Sequence, residues 1–233
     1  MKKVKKYIEN LNLLSLLKRI MLLMFAMVLM YFGIACYYQA KLGTDPYSVL
    51  VDGEHYIMDI SYGQVTNFNN FILFTIMLIF GRRFINIGTI INTLIAGALI
   101  DIFNTLIIKY IQPVSLVSSV VLLMLGIVAL AVGLGLYIVA DVGVGGLEFI
   151  TLTISDKMGI NLKWVRMALD IFVMTAGIIL GGLAGNAPFE MIGIGTVLGA
   201  IGTGLIMKWV IRLSEPIKNW LGAIKKETKN EIS

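Results

Sequence analysis

Residues 20–81 of the chain are echoed at residues 120–181 without a gap, at an offset of 100. Gly33 answers Gly133, Tyr37 answers Tyr137, and Ala40 answers Ala140. Gly43 answers Gly143, Ile60 answers Ile160, Val65 answers Val165, and Gly81 answers Gly181. After a short insertion, Gly88-Thr89 answers Gly195-Thr196 and Gly97 answers Gly204. A chain built from two copies folds into two similar units. If each unit crosses a membrane an odd number of times, the second lies upside down relative to the first.

The composition requires a membrane. Hydrophobic residues make up 58% of the chain and charged residues 14%, against about 25% charged in soluble domains. Six apolar stretches approach the roughly 20 residues needed to cross a bilayer. They are placed near 20–40, 64–81, 84–108, 115–140, 162–182 and 189–212. The expected fold is an all-α polytopic membrane protein of six transmembrane helices, arranged as two inverted three-helix repeats. The expected organisation is a cytoplasmic amphipathic segment at 1–19, repeat 1 at 20–108, repeat 2 at 115–212 and a basic amphipathic tail at 213–233.

Charge orients the bundle. With six spans and a cytoplasmic N-terminus, every Lys and Arg except Lys41 and Lys109 falls on the cytoplasmic side. Positive charge is retained on that side during insertion, so the expected location is the bacterial inner membrane with both termini inside. The start of the chain lacks a small-residue cleavage site after its first apolar run and reads as a retained segment rather than a signal peptide. Leu13, Leu14, Leu16 and Leu17 lie among basic residues. Ile217, Trp220, Leu221 and Ile224 repeat at helical spacing beside Lys225 and Lys226. Both patterns suit helices lying on an anionic leaflet, which makes lipid a partner.

Two Gly-rich segments, LGTDPYSVLVDGEHYIM at 42–58 and VGVGGLEFITLTISDKM at 142–158, are too short to span. Each is expected to be a broken or re-entrant segment, one per repeat, with a surface loop as the alternative. Pro46 suits the first turn of a helix, and Thr44 or Asp45 suits its cap. Helix N-termini carry free N–H groups and about half a positive charge. Aimed inward from opposite faces, they would build a substrate site near the midplane.

The candidate substrate-binding residues follow from that geometry. Thr44 and Asp45 open the first segment; Gly145, Gly146 and Glu148 open the second. Asp170 lies well inside the fifth stretch, opposite its repeat partner Asn70 in the second. An acid at that depth must be protonated, paired or hydrated. It is either a substrate or proton site or a partner for Arg166, one turn earlier. Tyr37 and Tyr137 end the first and fourth stretches, where they line a site or anchor at the interface. Asp101 is expected to be solvated or to cap a helix, and the run Asp52, Glu54, His55, Asp59 to form a solvated acidic face.

The absences narrow the function. The chain has one cysteine, Cys36, and one histidine, His55, so neither a disulfide nor a thiolate or imidazole metal centre is expected. No GxxxxGK[ST], HExxH or GxSxG occurs, so neither an ATPase nor an enzyme is expected, and no cofactor or metal is assigned. The basic charge reports orientation rather than nucleic-acid binding. Two function classes remain. One is a small secondary transporter or permease for a small-molecule substrate. The other is a non-transporting membrane partner: the substrate-binding subunit of an energy-coupled importer, or a scaffold for a cytoplasmic enzyme. Either class accommodates a homo-oligomer or a partner membrane protein.

Three stretches carry a family resemblance: LGTDPYSVL at 42–50, ISYGQVTN at 60–67 and IGTIINTLIAGALID at 87–101. They resemble the bacterial YczE/YyaS/YitT-type membrane proteins, above all the YczE-like branch. The likeness covers most of residues 20–212. It implies a polytopic inner-membrane protein and brings no substrate with it. VGVGGLEF lacks the proline of the first segment.

Overall fold

The computed structural model describes residues 13–111, 113–143, 145–185 and 192–221. The expectations for residues 1–12, for the start of the sixth span and for Ile224, Lys225 and Lys226 lie outside the described residues. The described chain is helical: α1 Leu13–Ala40, α2 Pro46–Met58, α3 Tyr62–Phe80, a 3-10 turn Arg82–Phe84, α4 Ile87–Tyr110, α5 Leu116–Ala140, α6 Gly146–Met158, α7 Leu162–Leu183, α8 Ile194–Leu213 and α9 Glu215–Leu221. Among these, α1, α3, α4, α5, α7 and α8 are long and apolar enough to cross a membrane.

Local sequence sets the ends of these helices. Ser61 and Gln64 form a capping box at the start of α3, as Ser115 and Ser118 do for α5. Each satisfies N–H groups that a helix end leaves unpaired. Asp59, Asp141 and Gly159 take left-handed φ of 52°, 51° and 66° and terminate α2, α5 and α6. One boundary differs from expectation. Leu13–Arg19 do not form a separate surface helix but continue into α1, because no Gly or Pro interrupts the apolar run between them.

At the centre, α1 and α5 cross in antiparallel fashion. A Cβ on Gly33 would stand 2.6 Å from the Leu130 amide nitrogen, and one on Gly133 would stand 2.6 Å from that of Met30. Small residues allow this approach, and packing rather than hydrophobicity drives helix association in lipid. Leu23, Met27, Tyr37, Leu123 and Ile127 complete the buried core around the seam.

α4 runs parallel to α1, with the Tyr31 hydroxyl donating to Asn92 Oδ1 at 2.6 Å and Gln39 Nε2 donating to Asn104 Oδ1 at 3.3 Å. α8 runs parallel to α5, where Gly202 meets Ile127 and Gly135 meets Val210. α3 packs antiparallel on α4. Asp101 accepts from the Ser61 hydroxyl at 2.6 Å and from the Gly63 amide at 2.9 Å, the capping use expected of it.

The outer helices need lipid. Only 22% of the apolar window of α7 and 17% of that of α8 is buried. Phe71, Leu94, Val117, Phe172 and Leu205 face outward. Apolar surface on this scale does not stay in water on a monomeric protein. The chain is an integral membrane protein.

Both ends of the described chain meet at one end of the bundle. The Ser15 hydroxyl donates to the Leu221 carbonyl, and Lys18 Nζ donates to the Trp220 carbonyl at 3.0 Å. Arg82, Lys157, Lys163, Lys208 and Arg212 share that end, while Lys41 and Lys109 occupy the other.

Candidate functional site

The two short helices begin differently. Asp45 is extended, and its Oδ1 accepts from the Tyr47 and Ser48 amides at 3.2 and 3.3 Å. With Pro46 at the first position, α2 is a well-capped helix. At the repeat-equivalent position α6 has Gly145, which offers no side-chain cap. The acid of its first turn, Glu148, folds back over Gly145 and reaches α7 as well.

On α7, Arg166 holds two carboxylates. Its Nη1 donates to Glu148 Oε1 at 3.0 Å, and its Nε donates to Asp170 at 3.0 and 3.2 Å. Asp170 is therefore paired with the arginine one turn earlier. The Arg166 and Glu148 side chains remain 40% and 50% exposed, so the pair lies at a rim and is worth about 0–1 kcal/mol to stability.

Around this pair lie polar atoms with no partner among the described residues. The hydroxyls of Tyr47 and Tyr137 are buried and unbonded, and both lie within electrostatic reach of Glu148. Asp45 Oδ2 is also buried and unbonded, and Asp45 lies within reach of Asp170. Asn70 Nδ2 is a further buried, unbonded donor. It stands one turn before Leu73, which packs on Gly146, so it shares the α3 face turned to the start of α6. Burying a polar group without a partner costs about 1–3 kcal/mol. Such atoms suit a polar guest or water as partner. Burial, followed by the charge of Glu54, raises the Tyr47 phenol well above its ordinary value, so it stays a hydrogen-bond donor at neutral pH.

The structure thus gathers Asn70, Gly145, Gly146, Glu148 and Asp170 about the first turn of α6, with Asp45 and Tyr137 within electrostatic reach of Asp170 and Glu148. Tyr37 and Thr44 meet at a neighbouring crevice; both carry buried oxygens without a bond, and Tyr37 is within electrostatic reach of Asp45. The Tyr37 hydroxyl turns to α8, where a Cβ on Gly199 would come within 2.4 Å of it. Thr44, 3% exposed, lines this narrow crevice with Tyr37, Tyr38, Lys41, Asp52, Tyr56 and Tyr62.

Two residues escaped the sequence reading. Tyr47 carried a signal, since it follows the proline that starts a short helix. Tyr31, held by Asn92 and within reach of Glu148, carried none. The solvated acidic face is corrected for Asp52, Glu54 and His55, while Asp59 is exposed as expected. Asp52 is 6% exposed and accepts from the Tyr62 hydroxyl at 2.9 Å. His55 stacks on the Tyr62 ring, and Glu54 accepts from Asn69. These residues are drawn inward because α2 packs its length against α7 and α3 instead of lying in solvent.

The family described as a family of unknown function (DUF6198) matches residues 17–212. The chain is 28% identical over 201 residues to a protein of Bacillus subtilis (strain 168) described as "Uncharacterized membrane protein YczE", covering 83% of this chain and 86% of that one. It is 23% identical over 199 residues to an "Uncharacterized protein" of Haemophilus influenzae, covering 84% of each. No solved structure matches it.

Proposed function

The chain belongs to the DUF6198 family, and from that premise we propose that it is a small secondary transporter or permease for a small polar solute in the bacterial inner membrane. One observation carries the proposal. The first turn of α2 carries buried, unbonded polar atoms, Asp45 Oδ2 and the Tyr47 hydroxyl, within electrostatic reach of the charged group Glu148–Arg166–Asp170 at the first turn of α6. Broken helices whose N-termini face a common polar space are how inverted-repeat transporters hold a substrate.

The repeat supports the same reading. The Gly33–Leu130 contact has its mirror in Gly133–Met30, at the same offset of 100. Contacts exchanged in this way are what a twofold axis in the membrane plane produces. In this reading α2 and α6 are re-entrant and the basic end of the bundle is cytoplasmic.

The test is uptake into proteoliposomes, after a thermal-shift screen of metabolites and ions has identified a binder. A binder at 100 times its Kd raises stability by about 2.7 kcal/mol. Asp170→Asn is expected to abolish uptake while the protein stays folded. Normal uptake by that variant would refute the site. A stoichiometric membrane or cytoplasmic partner in pull-downs, with no solute flux, would favour the non-transporting reading.

A further inference from the structure

The two halves of the bundle are not packed alike. On one side, α2 lies against α7 with backbone touching backbone. A Cβ on Gly53 would stand 2.2 Å from the Gly177 carbonyl oxygen, and one on Gly177 would stand 2.3 Å from that of Val49. At the repeat-equivalent positions, Gly53 becomes Thr153 and Gly177 becomes Met77. Helices with small residues at a crossing approach more closely than the usual 8–10 Å between axes. Thr153 and Met77 carry side chains where the other helix pair has none. Met77 is 1% exposed and the Thr153 hydroxyl is buried without a bond, so both side chains occupy interior space. Near its start, α6 meets α3 through side chains instead, with the Phe149 ring against Gly81 and Leu73 against Gly146.

Exposure follows the packing. Beside the glycine crossing Ser48 is 1% exposed, and Thr66 on α3 is 4% exposed. Their repeat equivalents Glu148 and Arg166 have side chains 50% and 40% exposed.

We infer that the protein rests with its polar site open toward the basic end of the bundle and sealed at the opposite end, the seal being the Gly53–Gly177 crossing and the opening being wedged by Thr153 and Met77. The inference builds on the inverted-repeat and transport reading above. In that reading, exchange of the tight and loose packings between the two helix pairs exposes the site to the other side. The side chains at these four positions bias that two-state equilibrium.

The experiment labels single cysteines with a membrane-impermeant maleimide in right-side-out and inverted vesicles. Cys36 is buried at 0% exposure and is replaced by alanine. Cysteines are placed at the equivalent positions, Ser48→Cys and Glu148→Cys. Glu148→Cys is expected to react from the face bearing the basic residues at least about tenfold faster than Ser48→Cys reacts from either face. Equal rates, or rapid modification of Ser48→Cys from the opposite face, would overturn the inference. Adding Gly53→Ala to Ser48→Cys is expected to speed its modification from the opposite face by about tenfold, and unchanged protection would overturn the role of the crossing. Should Gly53→Ala not fold, Thr153→Gly added to Glu148→Cys is expected to slow labelling several-fold, and an unchanged rate would overturn the wedge. Labelling needs no solute. Intact asymmetry without flux would refute transport and leave the resting state standing, whereas lost asymmetry with normal flux would do the reverse.

Discussion

The Gly88 amide donates a hydrogen bond to the Val142 carbonyl at 2.8 Å, tying the start of α4 to the segment that leads into α6. Its mirror is the Gly195 amide, which donates to the Leu42 carbonyl at 2.7 Å and ties α8 to the segment before α2. Each contact uses an N–H group that a helix start leaves without an intrahelical partner. Each also depends on the lack of a side chain. A Cβ on Gly88 would lie 2.7 Å from the Val142 oxygen, and one on Gly195 would lie 2.5 Å from the Gly43 oxygen. Gly88→Ala and Gly195→Ala are each expected to destabilise the fold by about 1–3 kcal/mol. Thermal unfolding in detergent measures this, and an unchanged midpoint would refute the two ties.

The central seam predicts a contrast among glycines. Gly33→Ala and Gly133→Ala force a Cβ into facing backbone and are expected to cost about 1–3 kcal/mol each. Gly182 and Gly204 are helical with no atom within 4 Å of an added Cβ. Their replacement by alanine is expected to be neutral or to stabilise by up to about 1 kcal/mol through helix propensity. The same unfolding assay ranks all four variants, and a seam variant as stable as Gly204→Ala would contradict the crossing.

Glu148 separates stability from function. Its pair with Arg166 is about half exposed, so Glu148→Gln is expected to cost less than about 1 kcal/mol. If the residue belongs to the solute site, the same change reduces uptake by about tenfold or more, equivalent to about 1.4 kcal/mol of binding or transition-state energy. A large stability loss with unchanged uptake would make the residue structural. Arg166→Gln is the sharper variant, because it strips the shared cation from both Glu148 and Asp170.

Glu54 gives a pH signature. Burial raises its carboxyl above the ordinary value, while the bond from Asn69 opposes the shift. A folded-state value above the unfolded one means that the folded protein holds the proton more tightly. The contribution to stability is therefore fully present below the unfolded value and is lost as pH rises through the folded one. Wild type is expected to lose stability relative to Glu54→Gln as pH rises through the upper carboxyl range. Parallel stability curves for the two proteins would contradict it.

The legible part of the site was the part written in local chemistry. Asp45-Pro46 announced the start and cap of α2. The glycines before Glu148 marked the start of α6. Arg166 bridging to Glu148 was illegible, because the two lie 18 positions apart on different helices. The turn of Tyr37 toward Gly199 and the burial of Asp52 were illegible for the same reason.

What the sequence determined by itself was the set of six spans, the two short segments between them, the cap of the first of these and the concentration of basic residues at one end. These follow from run length, local hydrogen bonding and charge, which act within a few residues along the chain. Tertiary structure alone decided which face of each helix turns inward. In water, an apolar stripe opposite a polar face marks that rotation. In lipid, outward and inward faces are both apolar, so the stripe disappears. Close backbone contacts such as Gly33–Leu130 and Gly53–Gly177 then set the rotation, and with it the company that Asp170, Glu148 and Tyr47 keep.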